Sequence, residues 1–92
     1  MVRDELTIRM EVLRKLDEPM SVSRLAKEIR SRYPPIKKIV DDFVDDELLK
    51  PENNGPYIYY SRTRKGDEAI LFYKAFKKRW GDIYKKLHNS II

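Results

Sequence analysis

The sequence predicts one α+β domain made of three helices, a β-hairpin and a long C-terminal helix. Three observations carry this. Apolar residues recur at helical spacing through three successive segments of the first half of the chain. The turn-forming cluster Leu49-Lys50-Pro51-Glu52-Asn53-Asn54-Gly55-Pro56 then stands between an apolar pair and the strand-like run Tyr57-Ile58-Tyr59-Tyr60. Finally, an apolar period of alternating threes and fours continues from Ile70 to Ile91. The 92 residues show no internal repeat, no low-complexity tract and no linker that would separate two domains.

Each element has a local reason. Between Arg3 and Leu16 the series Leu6, Met10, Leu13 lies at i, i+4, i+7, the mark of an amphipathic helix, and Asp17-Glu18-Pro19 ends it because a residue before proline is pushed out of helical geometry. Ser21 is placed to cap a second helix whose face is Val22, Leu25, Ala26 and Ile29. Arg30-Ser31-Arg32-Tyr33 forms the turn. Pro34 and Pro35 suit the first turn of a third helix, with Ile36, Ile39, Val40, Phe43, Val44 and Leu48 on its inner face. The hairpin follows, with Asn53, Asn54 and Gly55 at its tip. Thr63 caps a fourth helix that runs to about His88, with Gly81 the point at which it would bend.

Composition narrows the function. A chain this short buries roughly 60 to 65% of the surface its unfolded form exposes, too little for a deep substrate pocket. With no cysteine, disulfides, thiolate zinc sites, iron–sulfur clusters and cysteine nucleophiles are all excluded, which fits a reducing cytoplasm. No apolar run reaches the roughly 18 residues of a bilayer span, and Met1-Val2-Arg3-Asp4-Glu5 lacks a signal-peptide core. His88 is the only histidine, with no catalytic constellation around it, and neither a phosphate loop nor zinc spacing occurs. Asp41-Asp42-Phe43-Val44-Asp45-Asp46-Glu47 superficially resembles the aspartate-rich motif of isoprenoid synthases, but that chemistry needs a larger helical cavity, so the run reads as an exposed acidic face. The expectation is a non-enzyme with no metal, cofactor, small-molecule ligand or membrane partner. The net charge of +5 is concentrated C-terminally, residues 51–92 carrying nine basic and four acidic side chains. Such a balance favours a polyanionic partner.

The order and spacing resemble the winged helix-turn-helix DNA-binding domains, and among them small archaeal and archaeal-virus proteins that end in a dimerising helix. Ser21-Val22-Ser23-Arg24-Leu25-Ala26-Lys27-Glu28-Ile29 is similar to the first helix of the motif, with Ala26 at its small position. Ile36 and Ile39 fall at the core positions of the second helix. Asp46-Glu47-Leu48-Leu49-Lys50 is similar to the acidic-Gly-Leu-Ile segment leading into the wing, and Tyr60-Ser61-Arg62-Thr63-Arg64-Lys65-Gly66 to the Tyr-x-Leu-Thr-x-Lys-Gly passage out of it. The resemblance spans about residues 5 to 75. Two positions depart from it: Arg30 stands where many members have Gly, and Arg62 where the wing places Leu.

The resemblance implies a winged helix-turn-helix domain over residues 1–65 and a dimerisation helix over 66–92. It also implies double-stranded DNA as partner, with the third helix in the major groove. Ser21, Arg24, Arg30, Arg32, Tyr33, Lys37 and Lys38 are then the candidates around the recognition helix, and Asn53, Asn54, Arg62, Arg64 and Lys65 those of the wing. Against this, helical geometry turns Asp41, Asp42 and Asp45 outward as well, and carboxylates repel phosphates. In the last helix Ile70, Tyr73, Lys77, Trp80, Tyr84, Leu87 and Ile91 form one seam, with Ala69, Phe72, Phe76 and Ile83 beside it. The combined arc is wider than a small monomer covers and predicts a homodimer. Two rival readings stay open on sequence alone: a winged helix that binds protein rather than DNA, and a chromatin-like binder without sequence preference. No transcriptional target or sign of regulation follows from the residues.

Overall fold

A computed structural model describes residues 5–91, and the side chains of residues 5–76, 78 and 79. Its elements are α1 (Glu5–Lys15), α2 (Val22–Ile29), α3 (Tyr33–Asp45), β1 (Leu49–Asn54), β2 (Tyr57–Arg62) and α4 (Arg64–Ile91). The first three helices pack around one core, the hairpin lies against it, and α4 leaves the hairpin and crosses α1. This is the architecture that the sequence predicts.

The core is drawn from every element. Val12, Leu13 and Leu16 of α1 meet Val22, Leu25, Ala26 and Ile29 of α2 and Ile36, Ile39, Val40 and Phe43 of α3. Met20, Leu49, Tyr60 and Ile70 close the cluster from the linking segment, the hairpin and α4. Leu6 begins the predicted stripe of α1 but is exposed, because the packed part of that helix starts one turn later. Ser21 caps α2 as anticipated, its hydroxyl accepting from the Arg24 N–H.

Both helices of the turn motif end in the same figure. After α2, the Ser31 N–H reaches back to the Ala26 carbonyl at 2.9 Å while Arg30 sits at φ 60. After α3, the Leu48 N–H reaches the Phe43 carbonyl at 2.8 Å while Glu47 sits at φ 63. That bond pattern belongs to glycine-terminated helices, and here Arg30 and Glu47 hold the left-handed conformation with a Cβ. It also corrects the sequence reading of Leu48, which lies beyond α3 rather than on its inner face, because Glu47 has already reversed the chain.

The hairpin differs from expectation too. Most of the polar cluster is strand: Leu49 pairs with Arg62, Pro51 with Tyr60 and Asn54 with Tyr57, so only Gly55 and Pro56 form the loop. Gly55 takes φ 63 ahead of a proline whose φ is locked negative, the sign pattern of a II′ turn. Pro51 is tolerated because the peptide of its partner Tyr60 turns away from β1. Tyr60 instead exchanges both backbone bonds with Met20, at 3.0 and 3.2 Å, as an isolated antiparallel bridge.

The passage into α4 is tight. Thr63 donates its hydroxyl to the Glu47 carbonyl at 2.6 Å and accepts from the Gly66 N–H at 3.1 Å, capping the helix, while its own N–H donates to Leu48. Gly66 is buried, and a Cβ there would collide with the Leu48 carbonyl oxygen. From this point α4 runs as one helix through Gly81, its 28 residues spanning about 42 Å. Among the described residues no helix is long and apolar enough to cross a membrane.

Two stability effects of opposite sign are expected. Gly66→Ala should cost about 2 kcal/mol or more, since backbone rather than a yielding side chain opposes the new methyl. Arg30→Gly and Glu47→Gly should each stabilise by about 1 kcal/mol by relieving the left-handed strain. Urea unfolding midpoints of the three variants check both.

Candidate nucleic-acid interface

The starts of α2 and α3 and the hairpin tip line one cleft. Arg30 holds the C-cap of α2 and Arg32 the N-cap of α3, where no side chain caps the first amides. The inner face of α3 is apolar, so its outer face carries the polar side chains of the second and third turns.

Ion pairs sort those groups. Asp42 is not an outward group: it accepts from Arg9 of α1 at 2.9 Å, and Arg9 also binds Glu5 at 3.0 Å and lies 5.7 Å from the centre of the Phe43 ring. This corrects the sequence reading, which ignored the helix packed alongside. Asp41 holds Lys37 at 2.6 Å, and that bond lifts the amine above its ordinary range. Among the described residues Arg30, Arg32 and Lys38 are exposed and form no ion pair. Asp41 and Asp45 remain exposed on α3, beyond the first turn. The positive end of this face is its N-terminal end, where the helix dipole adds to it.

A cleft of about 260 Å³ joins this end of α3 to the wing, lined by Ser21, Val22, Ser23, Tyr33, Lys37, Pro56, Tyr57, Ile58 and Tyr60. Of the candidates from sequence, Ser21, Tyr33 and Lys37 meet here, while Arg30, Arg32 and Lys38 stand on the same turn and helix end. Asn53 and Asn54 lie at the exposed end of β1. Ser23, Pro56, Tyr57 and Ile58 were missing from the sequence-derived site. In β2 the alternation of Tyr57, Ile58, Tyr59 and Tyr60 predicts one pair facing the core and one facing away, whereas only Tyr60 is buried, because β2 projects past the core at its tip.

Other candidates lie elsewhere. Arg24 pairs with Glu28 at 3.6 Å and lines a groove with Arg14, Lys15, Asp17, Glu18 and Met20. Arg64 pairs with Glu68 at 3.5 Å in the first turn of α4, next to an exposed Lys65. Arg62 is a structural strut. Its guanidinium donates to the Leu13 carbonyl at 2.7 Å, the Arg14 carbonyl at 3.2 Å and Asp67 at 2.7 Å, tying the end of α1 to the start of α4. A cation at a helix C-terminus satisfies carbonyls left open there, so an apolar residue at this position would lose those bonds.

On α4, Ile70 is buried within the domain and Tyr73 half-buried against α1, so this part of the predicted seam packs within the chain where α4 crosses α1. Leu71, Phe72 and Phe76 are exposed at 67, 75 and 55%. The side chains of Lys77, Trp80, Tyr84, Leu87 and Ile91 lie outside the described residues.

No protein-family model matches the chain, and no curated protein matches it. Solved structures do. Sso10a-2, a DNA-binding protein from Sulfolobus solfataricus, superposes with a TM-score of 0.82 at 20% identity over 95% of this chain and 92% of that one. ZitR from Lactococcus lactis, in a mutant form, gives 0.69 at 13% identity over 98% of this chain and 66% of that one. The adhesin competence repressor AdcR from Streptococcus pyogenes gives 0.69 at 14% over 87% and 61%.

Arg62→Ala should lower stability by about 2 kcal/mol, the loss of charge-assisted bonds that leaves two carbonyls open. Any DNA affinity of the folded variant should keep its salt dependence. Chemical denaturation followed by a salt titration checks the pair of statements.

Proposed function

We propose that this winged helix-turn-helix chain binds double-stranded DNA as a homodimer and acts as a transcriptional regulator. The observation that carries the reading is the set of unpaired, exposed cations Arg30, Arg32 and Lys38 at the positive end of α3. A duplex presents regularly spaced phosphates and a major groove about as wide as a helix, so cations around the helix N-terminus fix the register while the first turns of α3 reach base edges. The shared fold of a DNA-binding protein at a TM-score of 0.82 supports it. The exposed Asp41 and Asp45 favour a second reading, in which the acidic part of α3 docks a basic protein surface and DNA is not bound.

Fluorescence anisotropy with random-sequence duplex over a salt series tests this. Binding should weaken as salt rises, with a log–log slope of about 0.9 for each phosphate contacted. Replacing Arg32, Lys37 and Lys38 together by Ala should cost at least tenfold in affinity and reduce that slope by roughly 2 to 3. No binding at about 50 mM salt would overturn the DNA reading and leave the protein-docking one.

Residues 66–92 are proposed as the dimerisation helix, on the strength of the exposed Leu71, Phe72 and Phe76. Two copies joined there carry two recognition helices, which can meet half-sites about 34 Å apart on the duplex. Phe72→Glu should shift the chain to monomer in sedimentation equilibrium, and it should weaken DNA binding without touching the domain core. A wild-type monomer at all concentrations would remove the dimer from the reading.

A further inference from the structure

The free end of the wing brings together the groups of an internal reaction. Of the three asparagines only Asn54 precedes a glycine: Asn53 is followed by Asn54 and Asn89 by Ser90. Asn54 ends β1, its side chain is exposed, and among the described residues its amide makes no hydrogen bond. Tyr60 turns its peptide away from β1 to Met20, so by alternation along the ladder Pro51 and Asn53 face outward while Asn54 and Tyr57 bond to each other. The Asn54 N–H is therefore held against Tyr57. The Gly55 N–H lies beyond that last pair and makes no hydrogen bond. Space there is open, with nothing within 4 Å of where a Gly55 Cβ would stand. A two-stranded ribbon anchored at Tyr60 and at its base frays at its tip. An unbonded peptide nitrogen and an unhindered side-chain amide carbon thus meet on adjacent residues.

We infer that Asn54-Gly55 is a self-modifying site that ages the wing. The Gly55 nitrogen loses its proton and attacks the carbonyl carbon of the Asn54 side chain. A carbon–nitrogen bond forms, the bond to the side-chain amide nitrogen breaks, and that nitrogen leaves with the proton as ammonia. Water then opens the cyclic imide, adding to one of its two carbonyls and breaking that carbonyl's bond to the Gly55 nitrogen. Opening at the side chain gives aspartate. Opening at the main chain gives isoaspartate, in which the backbone runs through the Asn54 Cβ and Cγ. Water is the only co-reactant. Glycine favours the attack because it has no side chain to crowd the nitrogen. Either product sets a carboxylate at the wing tip and lowers the net charge of +5 by one. Isoaspartate also lengthens the chain and removes the carbonyl that pairs with Tyr57, which opens the end of the hairpin. Resting on the DNA reading above, both effects weaken the wing's hold on a polyanion, so the modification acts as an irreversible loss-of-binding switch.

The full chain, held for days at a raised temperature below its unfolding midpoint, should convert at Asn54 while Asn53 and Asn89 stay intact. Peptide mapping by mass spectrometry, with enzymatic methylation to mark isoaspartate, reads this. Asn54→Gln, whose longer side chain would have to close a larger ring, should not convert. Affinity for random-sequence duplex DNA is then compared at about 50 mM salt. Asn54→Asp, which supplies the charge alone, should bind roughly three- to tenfold more weakly than fresh wild type, with the difference shrinking as salt rises. Converted wild type should lose at least as much, and Asn54→Gln held under the same conditions should lose none. Conversion at Asn54 no faster than at Asn53, or an equal loss of affinity in the aged Asn54→Gln protein, overturns the inference. So does a converted protein that binds DNA as tightly as fresh wild type. Fresh wild type that binds no DNA fails the underlying reading instead, and peptide mapping alone then decides the modification.

Discussion

The wing keeps its place because the peptide of Tyr60 is bonded on the side away from its own hairpin. A two-stranded ribbon is marginal by itself. Here β2 exchanges two backbone bonds with Met20, in the segment that leads into α2, while the Tyr60 ring enters the core. One residue thus couples hairpin, α2 and core. The same arrangement lets Pro51 stand opposite Tyr60 without an unmet N–H, and it sets the distance from wing tip to Tyr33 that forms the cleft. The second anchor lies at the far end of β2, where Thr63 and Gly66 close on the loop after α3. Between these anchors the hairpin has little freedom to tilt, so α4 must leave in a fixed direction across α1.

Charge within the domain is settled partly along single helices and partly between elements. The third helix is rich in aspartate, which taken alone argues against a nucleic-acid surface. Packing and local pairing together change the balance: α1 supplies Arg9 to Asp42, Lys37 turns to Asp41 one turn along the same helix, and Arg62 is drawn inward to the carbonyls of α1. What remains at the N-terminal end of α3 is cationic. The helix is therefore polarised along its length, with exposed Asp41 and Asp45 further on. Surface pairs of this kind are individually weak. Their consequence here is to decide which cations are left over for a partner.

The fourth helix divides its surface in a similar way. Where it crosses α1 it contributes Ile70 to the core and Tyr73 to a shallow cleft with Met10 and Arg14. Leu71 and Phe72 are exposed to solvent. The inward placement of Ile70 therefore takes up only part of the apolar surface of this helix.

Much of this was legible in the residues themselves. Three helical periods, the Ser21 and Thr63 caps and the paired prolines of α3 are local effects, and local chemistry acts through neighbours in sequence. The two departures from the family pattern, Arg30 and Arg62, were visible too, though not what they meant. Polar β1 could not be read, since Lys50-Pro51-Glu52-Asn53-Asn54 has no strand propensity and is extended only because β2 pairs with it. The roles of Arg62 and Asp42 were equally hidden, because their partners lie 49 and 33 residues away. The sequence by itself determined the elements, their order and the basic, cysteine-free character of the surface. Tertiary structure alone decided that Asp42 and Arg62 are taken inward, which apolar residues stay outside and how the wing faces α3, since each depends on contacts across the fold that no local rule encodes.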